Sequence, residues 1–191
     1  MVNKKICWLD TETSGLDPKI HDILQISYII EIDKKVEEKG NFYIQPFNYN
    51  TIEKAALEIN KLEIAQIKTF PQPQEIYRKI KTILEKYVDR YNKNDKFSLA
   101  GYNNIMFDVP FFKQFFIKNC DSFFGSLFDY HTLDVLSLVY ILEYKGILNL
   151  NNYKLTTVAN YFNILFNPHD ATEDIRVTRE IFYKMLEYIK V

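Results

Sequence analysis

Lys5-Ile6-Cys7-Trp8-Leu9-Asp10-Thr11-Glu12-Thr13-Ser14-Gly15-Leu16 is the stretch on which the fold turns. A short apolar run, Ile6 to Leu9, leads straight into acid. A run of this length with acid at its end reads as a buried strand that delivers polar groups at its C-terminal end. The strand period of two puts the side chains of Asp10 and Glu12 on one face. Two carboxylates side by side repel each other unless a cation sits between them. Oxygen ligands with few neutral partners suit Mg²⁺ or Mn²⁺. Gly15 lets the chain turn tightly and lets a ligand approach the backbone. Taken alone, an Asp-x-Glu reads more readily as an acidic turn after a strand; the apolar strand leading into this one weakens that reading.

Working outward, Ile23 to Ile32 is rich in Ile and suits a second strand. Val36 to Pro46 partly alternates and suits a third. The links are short, so the three form an antiparallel meander. Ile52 to Ile67 has helical spacing in two pieces, with Pro71 and Pro73 beyond it. Glu75 to Tyr91 sets Ile76, Ile80, Ile83, Leu84 and Tyr87 along one helical stripe. Phe97 to Ala100 and Ser126 to Tyr130 are further strand candidates. Helices are expected over Pro110 to Ile117, Leu133 to Tyr144, Leu155 to Phe162 and Ala171 to Ile189. In the last, Ile175, Phe182, Met185 and Ile189 form the inner side. Strands first, then strands alternating with helices, predict an α/β fold with a mixed sheet flanked by helices. At 191 residues without repeat or linker, one domain over residues 1–191 is expected.

Two more segments carry acid at element ends. In Gly101-Tyr102-Asn103-Asn104-Ile105-Met106-Phe107-Asp108-Val109-Pro110, Asp108 falls near a helix N-terminus, where it can cap the helix or face a ligand. In Pro168-His169-Asp170-Ala171-Thr172-Glu173-Asp174, Asp170 and Glu173 have capping-box spacing. Asp174 then lies just inside the helix and His169 just before it. Together the three segments bring four carboxylates and one histidine to one sheet edge. That cluster is costly without cations. With two of them about 3.5–4 Å apart it suits phosphoryl displacement.

These residues resemble the three motifs of the DnaQ-like, DEDDh 3′→5′ exonuclease family: Asp10-Thr-Glu-Thr-Ser-Gly-Leu16, Phe107-Asp108 and His169-x-Ala171-x-x-Asp174. The family includes proofreading subunits of bacterial replicative polymerases. The resemblance implies an RNase H-like fold, a five-stranded mixed sheet with helices on both sides. It implies that Asp10 bridges two divalent cations and that Glu12 and Asp174 complete the first site. Asp108 then supports the second cation, and His169 is the general base. Thr13, Leu16 and one of Asn103 and Asn104 meet substrate, Leu16 as a wedge against the terminal base. Asp134 stands where relatives carry an acid, for support or for capping. Phe107, Phe111 and Phe112 read as core. The expected substrate is a nucleic-acid 3′ end, single-stranded DNA before RNA. Thr-Glu-Thr-Ser-Gly-Leu after Asp10 leans to the DNA side, whereas the oligoribonuclease branch usually carries Leu-Glu-Met-Thr-Gly-Leu there. An RNA or short-oligoribonucleotide exonuclease of the same fold is the close rival, and a polymerase-associated proofreading subunit and a catalytically dead binding domain are the others.

The formal net charge of -1 argues against a tight, non-specific duplex binder. Cys7 and Cys120 are isolated and read as idle thiols of a reducing compartment. No stretch approaches the roughly 20 apolar residues of a membrane span. A cytoplasmic protein is expected.

Overall fold

The computed structural model describes residues 5–168 and 170–189. The strands are β1 (Lys5–Thr13), β2 (Ile23–Ile32), β3 (Lys35–Tyr43), β4 (Ser98–Gly101) and β5 (Leu133–Asp134). The helices are α1 (Lys54–Asn60), α2 (Ile64–Ile67), α3 (Pro73–Glu85), α4 (Asp108–Lys118), α5 (Val135–Tyr144), α6 (Leu155–Tyr161) and α7 (Ala171–Ile189). The sheet order is β3-β2-β1-β4-β5, with β1–β2 and β2–β3 antiparallel and β1–β4 and β4–β5 parallel. This is the mixed five-stranded sheet of the RNase H-like fold.

The period of two in β1 sorts the molecule into two layers. Cys7 and Leu9 face a core built with Ile76, Ile80 and Leu84 of α3 and Phe111, Phe112, Phe115 and Phe116 of α4. Trp8 faces the other way, into a core with Val135 and Val139 of α5 and Ile175, Ile181 and Met185 of α7. Because Asp10 and Glu12 follow Trp8 at even steps, they point toward the α7 side, and Thr11 points toward α4. β2 lies between two strands and is buried along nearly its whole length. β3 is the outer strand, and its Lys35, Glu37, Glu38 and Lys39 place charge on an edge that would otherwise pair with other chains.

One buried acid locks the sheet to α7. Glu31 of β2 is 1 % exposed. It accepts hydrogen bonds from Trp8 Nε1 at 3.3 Å and from Arg179 Nε at 2.5 Å, and from the Tyr183 hydroxyl. A buried carboxylate is tolerated only when its lone pairs are met in this way.

Several expected boundaries shift. β1 runs on to Thr13, because Thr11 and Thr13 continue the pairing with Ile26 and Ile23 of β2. β3 ends at Tyr43, short of Pro46, and α3 ends at Glu85, short of Tyr91. The strand expected over Ser126 to Tyr130 is a 3₁₀ turn at Phe124–Ser126 and a single bridge from Phe128 to Phe97. Asp129 captures the His131 N–H at 2.8 Å, which buckles the chain out before Leu133 rejoins the sheet. Leu133 and Asp134 therefore belong to β5, and α5 begins at Val135. Ile189, expected inside, is 40% exposed at the end of α7.

Candidate active site

β1 and α7 together build the acidic centre. Asp10, Glu12 and Asp174 each offer a carboxylate oxygen, and these atoms all lie within 4.8 Å of one another. Glu12 and Asp10 stand two residues apart on the same face of β1. Asp174 comes in from the first turn of α7, its N–H bonded to the Asp170 carbonyl at 2.8 Å. Acids in that turn are favoured by the helix dipole.

Asp108 approaches from the opposite side of β1. It occupies the first turn of α4 and is 3 % exposed. Its Oδ1 accepts from the Thr11 N–H at 2.8 Å and from Thr11 Oγ1 at 2.7 Å. These bonds tie the α4 carboxylate to the strand that carries Asp10 and Glu12. Gly101 makes the approach possible at the end of β4. A Cβ there would lie 2.7 Å from the Leu9 carbonyl oxygen and 2.8 Å from Asn104 Cβ. Only glycine lets the β4–α4 loop press this closely on β1.

The electrostatics are those of a site built for positive charge. Burial, then Asp108, Asp174, Glu12 and Asp170, hold the Asp10 carboxyl well above its ordinary range. Burial, with Asp174, Asp108 and Asp170 behind it, pushes Glu12 up to about 7. Burial raises Asp108 to about 7 against the opposing bonds from Thr11. Asp170, read from sequence only as a cap, thus belongs to the field of the cluster. Its carboxylate does accept from Thr172 N at 2.9 Å. Glu173 pairs with Arg176 at 2.9 Å. An oxygen-only donor set whose members destabilise one another when ionised fits a hard divalent cation.

This field makes stability depend on pH and on metal together. Glu12 and Asp108 have folded pKa values near 7, above the unfolded values of about 4. Between those limits the folded state holds more protons than the unfolded one. Their contribution is therefore fully present below about pH 4 and is lost as pH rises through 7. Without metal the cluster favours the fold least at pH 8, and a cation that binds there offsets the penalty. The rise in Tm on adding Mg²⁺ or Mn²⁺ is expected to be larger at pH 8 than at pH 5. An equal rise at both would contradict the electrostatic assignment.

Beside the acids lies a cleft of about 270 Å³ lined by Glu12, Thr13, Gly15, Leu16, Glu53, Ala55, Ala56, Ile59, Asn60 and Phe107. Leu16 is 76% exposed at its lip, so it is not a core residue. Phe107 is half-buried in the wall, while Phe111 and Phe112 are core, as expected. Thr13 lines the cleft, but its hydroxyl donates to the Gly15 carbonyl at 2.7 Å. The turn after β1 is clasped from below. His21 Nδ1 lies 2.9 Å from the Asp17 nitrogen and 3.2 Å from the Asp17 carbonyl, and its Nε2 lies 3.2 Å from Glu53 Oε1. Asn60 Nδ2 holds the Thr13 carbonyl at 2.9 Å.

The His21–Glu53 clasp and the Ala55, Ala56 and Ile59 wall were not read from the sequence, where nothing marks them. A Cβ on Gly15 would meet the His21 ring at 2.4 Å. Gly15→Ala is therefore expected to lower Tm by about 2–10 °C and to raise KM through the displaced Leu16 loop. An unchanged melting curve would show that the ring can swing aside.

The two asparagines separate. Asn103 is exposed, with φ +57, and its N–H donates to Asp134 Oδ1 at 2.9 Å. Asn104 is 0% exposed, packed beside Gly101, and neither side-chain polar atom has a hydrogen-bond partner among the described residues. Asp134 both supports and caps, because its Oδ1 also accepts from Leu136 N at 3.0 Å. His169 lies outside the described residues. Among the described residues no helix is long and apolar enough to cross a membrane.

Comparison with known proteins places this geometry. The model of the RNase T exonuclease family matches residues 7–182. A DNA polymerase III of the PolC type from Caldanaerobacter subterraneus subsp. tengcongensis is 28% identical over 182 residues, which are 95% of this chain and 11% of that protein. The PolC-type polymerase of Thermotoga maritima is 26% identical over 184 residues, 95% of this chain and 12% of that one. The chain thus spans about a tenth of the length of the curated relatives it matches. Among solved structures, E. coli exonuclease I in complex with a dT13 oligonucleotide superposes with a TM-score of 0.76 at 21% identity, over 96% of this chain and 40% of that one. The zinc-bound form of the exonuclease I–ssDNA complex gives 0.77 at 19% identity, over 97% and 42%. These likenesses carry the fold. The family match begins in β1, two residues past its start, and runs well into α7, and it takes in Asp10, Glu12, Asp108 and Asp174. The chain belongs to the exonuclease family, in its DnaQ-like branch of the RNase H-like superfamily.

Proposed function

We propose that the chain is a metal-dependent 3′→5′ exonuclease that removes nucleoside 5′-monophosphates from the 3′ ends of single-stranded DNA. The convergence of Asp10, Glu12 and Asp174 within 4.8 Å, beside an apolar cleft, carries this reading. Asp10 would bridge two divalent cations, Mg²⁺ or Mn²⁺, with Glu12 and Asp174 on the first and Asp108 supporting the second. When bound, such cations supply Lewis-acid stabilisation of the charge that develops on the phosphodiester oxygens.

The chain's own groups do the rest. Leu16 and Phe107 hold the terminal base in the cleft, with Ala55, Ala56 and Ile59 behind it. Thr13 fixes the turn that presents Leu16. Asn103, exposed at the end of β4, faces the sugar–phosphate chain, and Asn104 packs beneath it. His169 accepts the proton of the attacking water, a role suited to an unperturbed pKa of about 6.5. Asp170, next to it in the chain, raises the pKa of both Asp10 and Glu12.

The exonuclease I structures with dT13 favour DNA as the substrate class. The PolC-type relatives favour a second reading, a proofreading module working beside a polymerase. Purified protein with matched 5′-labelled single-stranded DNA and RNA, in Mg²⁺, Mn²⁺ or chelator, separates these. A ladder shortening from the 3′ end and lost with chelator establishes the activity, and the faster polymer names the substrate. A folded, metal-loaded protein that cuts neither would be a partner-dependent module or a binding domain.

A further inference from the structure

We propose that the single strand upstream of the terminal nucleotide lies on a row of tyrosines, Tyr153, Tyr140 and Tyr144, running from the end of β4 along the outer face of α5. This rests on the exonuclease reading of the acidic site.

The row begins where the substrate loop begins. Tyr102 directly follows β4 and precedes Asn103, and its hydroxyl donates to the Tyr153 carbonyl at 2.5 Å. The Tyr153 ring lies 5.7 Å from that of Tyr140, at 53°. Tyr140 and Tyr144 are 60% and 90% exposed, one helical turn apart, while Val135, Val139 and Leu142 of the same helix are buried. Asp134 joins helix and loop, because one carboxylate oxygen both caps α5 and binds the Asn103 N–H. The tyrosine face therefore keeps a fixed position relative to the site.

Three arguments favour an unpaired strand as the occupant. First, with a net charge of -1 the surface beyond the acidic centre offers phosphates little overall attraction, so most of the affinity for the upstream strand must come from its bases. Aromatic rings supply it without sequence preference, because every base has a π-face. Second, the helical rise between Tyr140 and Tyr144 is about 6 Å. That is nearly twice the roughly 3.4 Å between stacked bases along one strand of a duplex, so only an extended, unstacked strand can seat successive bases on them. Third, the exposed side chains of Lys145 and Lys154 stand at the end of α5 and beside Tyr153, where the backbone of such a strand would pass.

The test compares the wild type with the Tyr140→Ala/Tyr144→Ala double variant. The probes are 5′-fluorescent dT3 and dT12, with phosphorothioate linkages at the 3′ end to slow cutting. Binding is read by anisotropy in Mg²⁺. The wild type is expected to bind dT12 more tightly than dT3, by roughly 5- to 100-fold. The double variant is expected to lose that advantage, and Tyr140→Phe/Tyr144→Phe to keep it. Turnover of a dinucleotide, too short to reach the row, stays unchanged. A length advantage that survives in the alanine variant overturns the proposal and leaves this face to a protein partner. So does a wild type with no length advantage. Anisotropy reads the row whether or not cleavage occurs. Failure of the exonuclease reading shows separately, as a wild type that does not cut the dinucleotide.

Discussion

Replacing Asp10 by alanine is expected to abolish cleavage, lowering kcat by at least about 10³-fold, the loss that follows from several kcal/mol of missing metal stabilisation. Asp10 is the acid on which all the others act: Asp108, Asp174, Glu12 and Asp170 each raise its pKa. On the proposed reading it would be the ligand shared by both cation positions, and its removal would weaken both. The same change removes a source of repulsion from a buried site. The metal-free variant is therefore expected to melt at or above the wild-type temperature while its Tm no longer rises with Mg²⁺ or Mn²⁺. That opposite pair of effects separates loss of a ligand from loss of the fold. Near-normal turnover of 5′-labelled single-stranded DNA by the variant would sink the metal assignment.

His169→Ala is expected to cut turnover by about 10²–10⁴-fold, the usual contribution of a general base. The residue adds no carboxylate to the cluster, so the metal-dependent rise in Tm should persist. A buffer base such as imidazole should restore part of the rate. An unchanged rate would make His169 a bystander, and loss of the metal response would make it a ligand instead.

Much of the architecture could be read from side-chain periodicity, and the exceptions have local causes. β2 and α7 were legible to their ends because each carries a long, regular apolar pattern. The second half of the sheet was harder. β5 is two residues long, and its approach is bent by an Asp129–His131 contact that no hydrophobic pattern announces. The acids were legible because Asp10 and Glu12 obey the strand period, and Asp108 and Asp174 fall in the first turns of helices. The cleft was not. Its far wall is made by Ala55, Ala56 and Ile59 of a seven-residue helix, and alanines at a helix start carry no functional signal. Asn103 and Asn104 were equivalent in sequence and differ only because a left-handed residue turns one outward and buries the next.

The anchoring of α7 has a consequence for the protein's life before it is folded. The helix that brings Asp174 is clamped to β2 through Glu31, and both the clamp and the carboxylate come from the far part of the chain. Contacts between segments so distant in sequence close late, because the loop entropy must be met first. A nascent chain still short of Ala171 can display β1 and its acids but lacks the third carboxylate. The three-carboxylate cluster is thus complete only once α7 has docked. Freeing that helix would take away Asp174 and at the same time uncover Trp8 and leave Glu31 buried without Arg179 and Tyr183, so the acidic centre and the sheet stand or fall together.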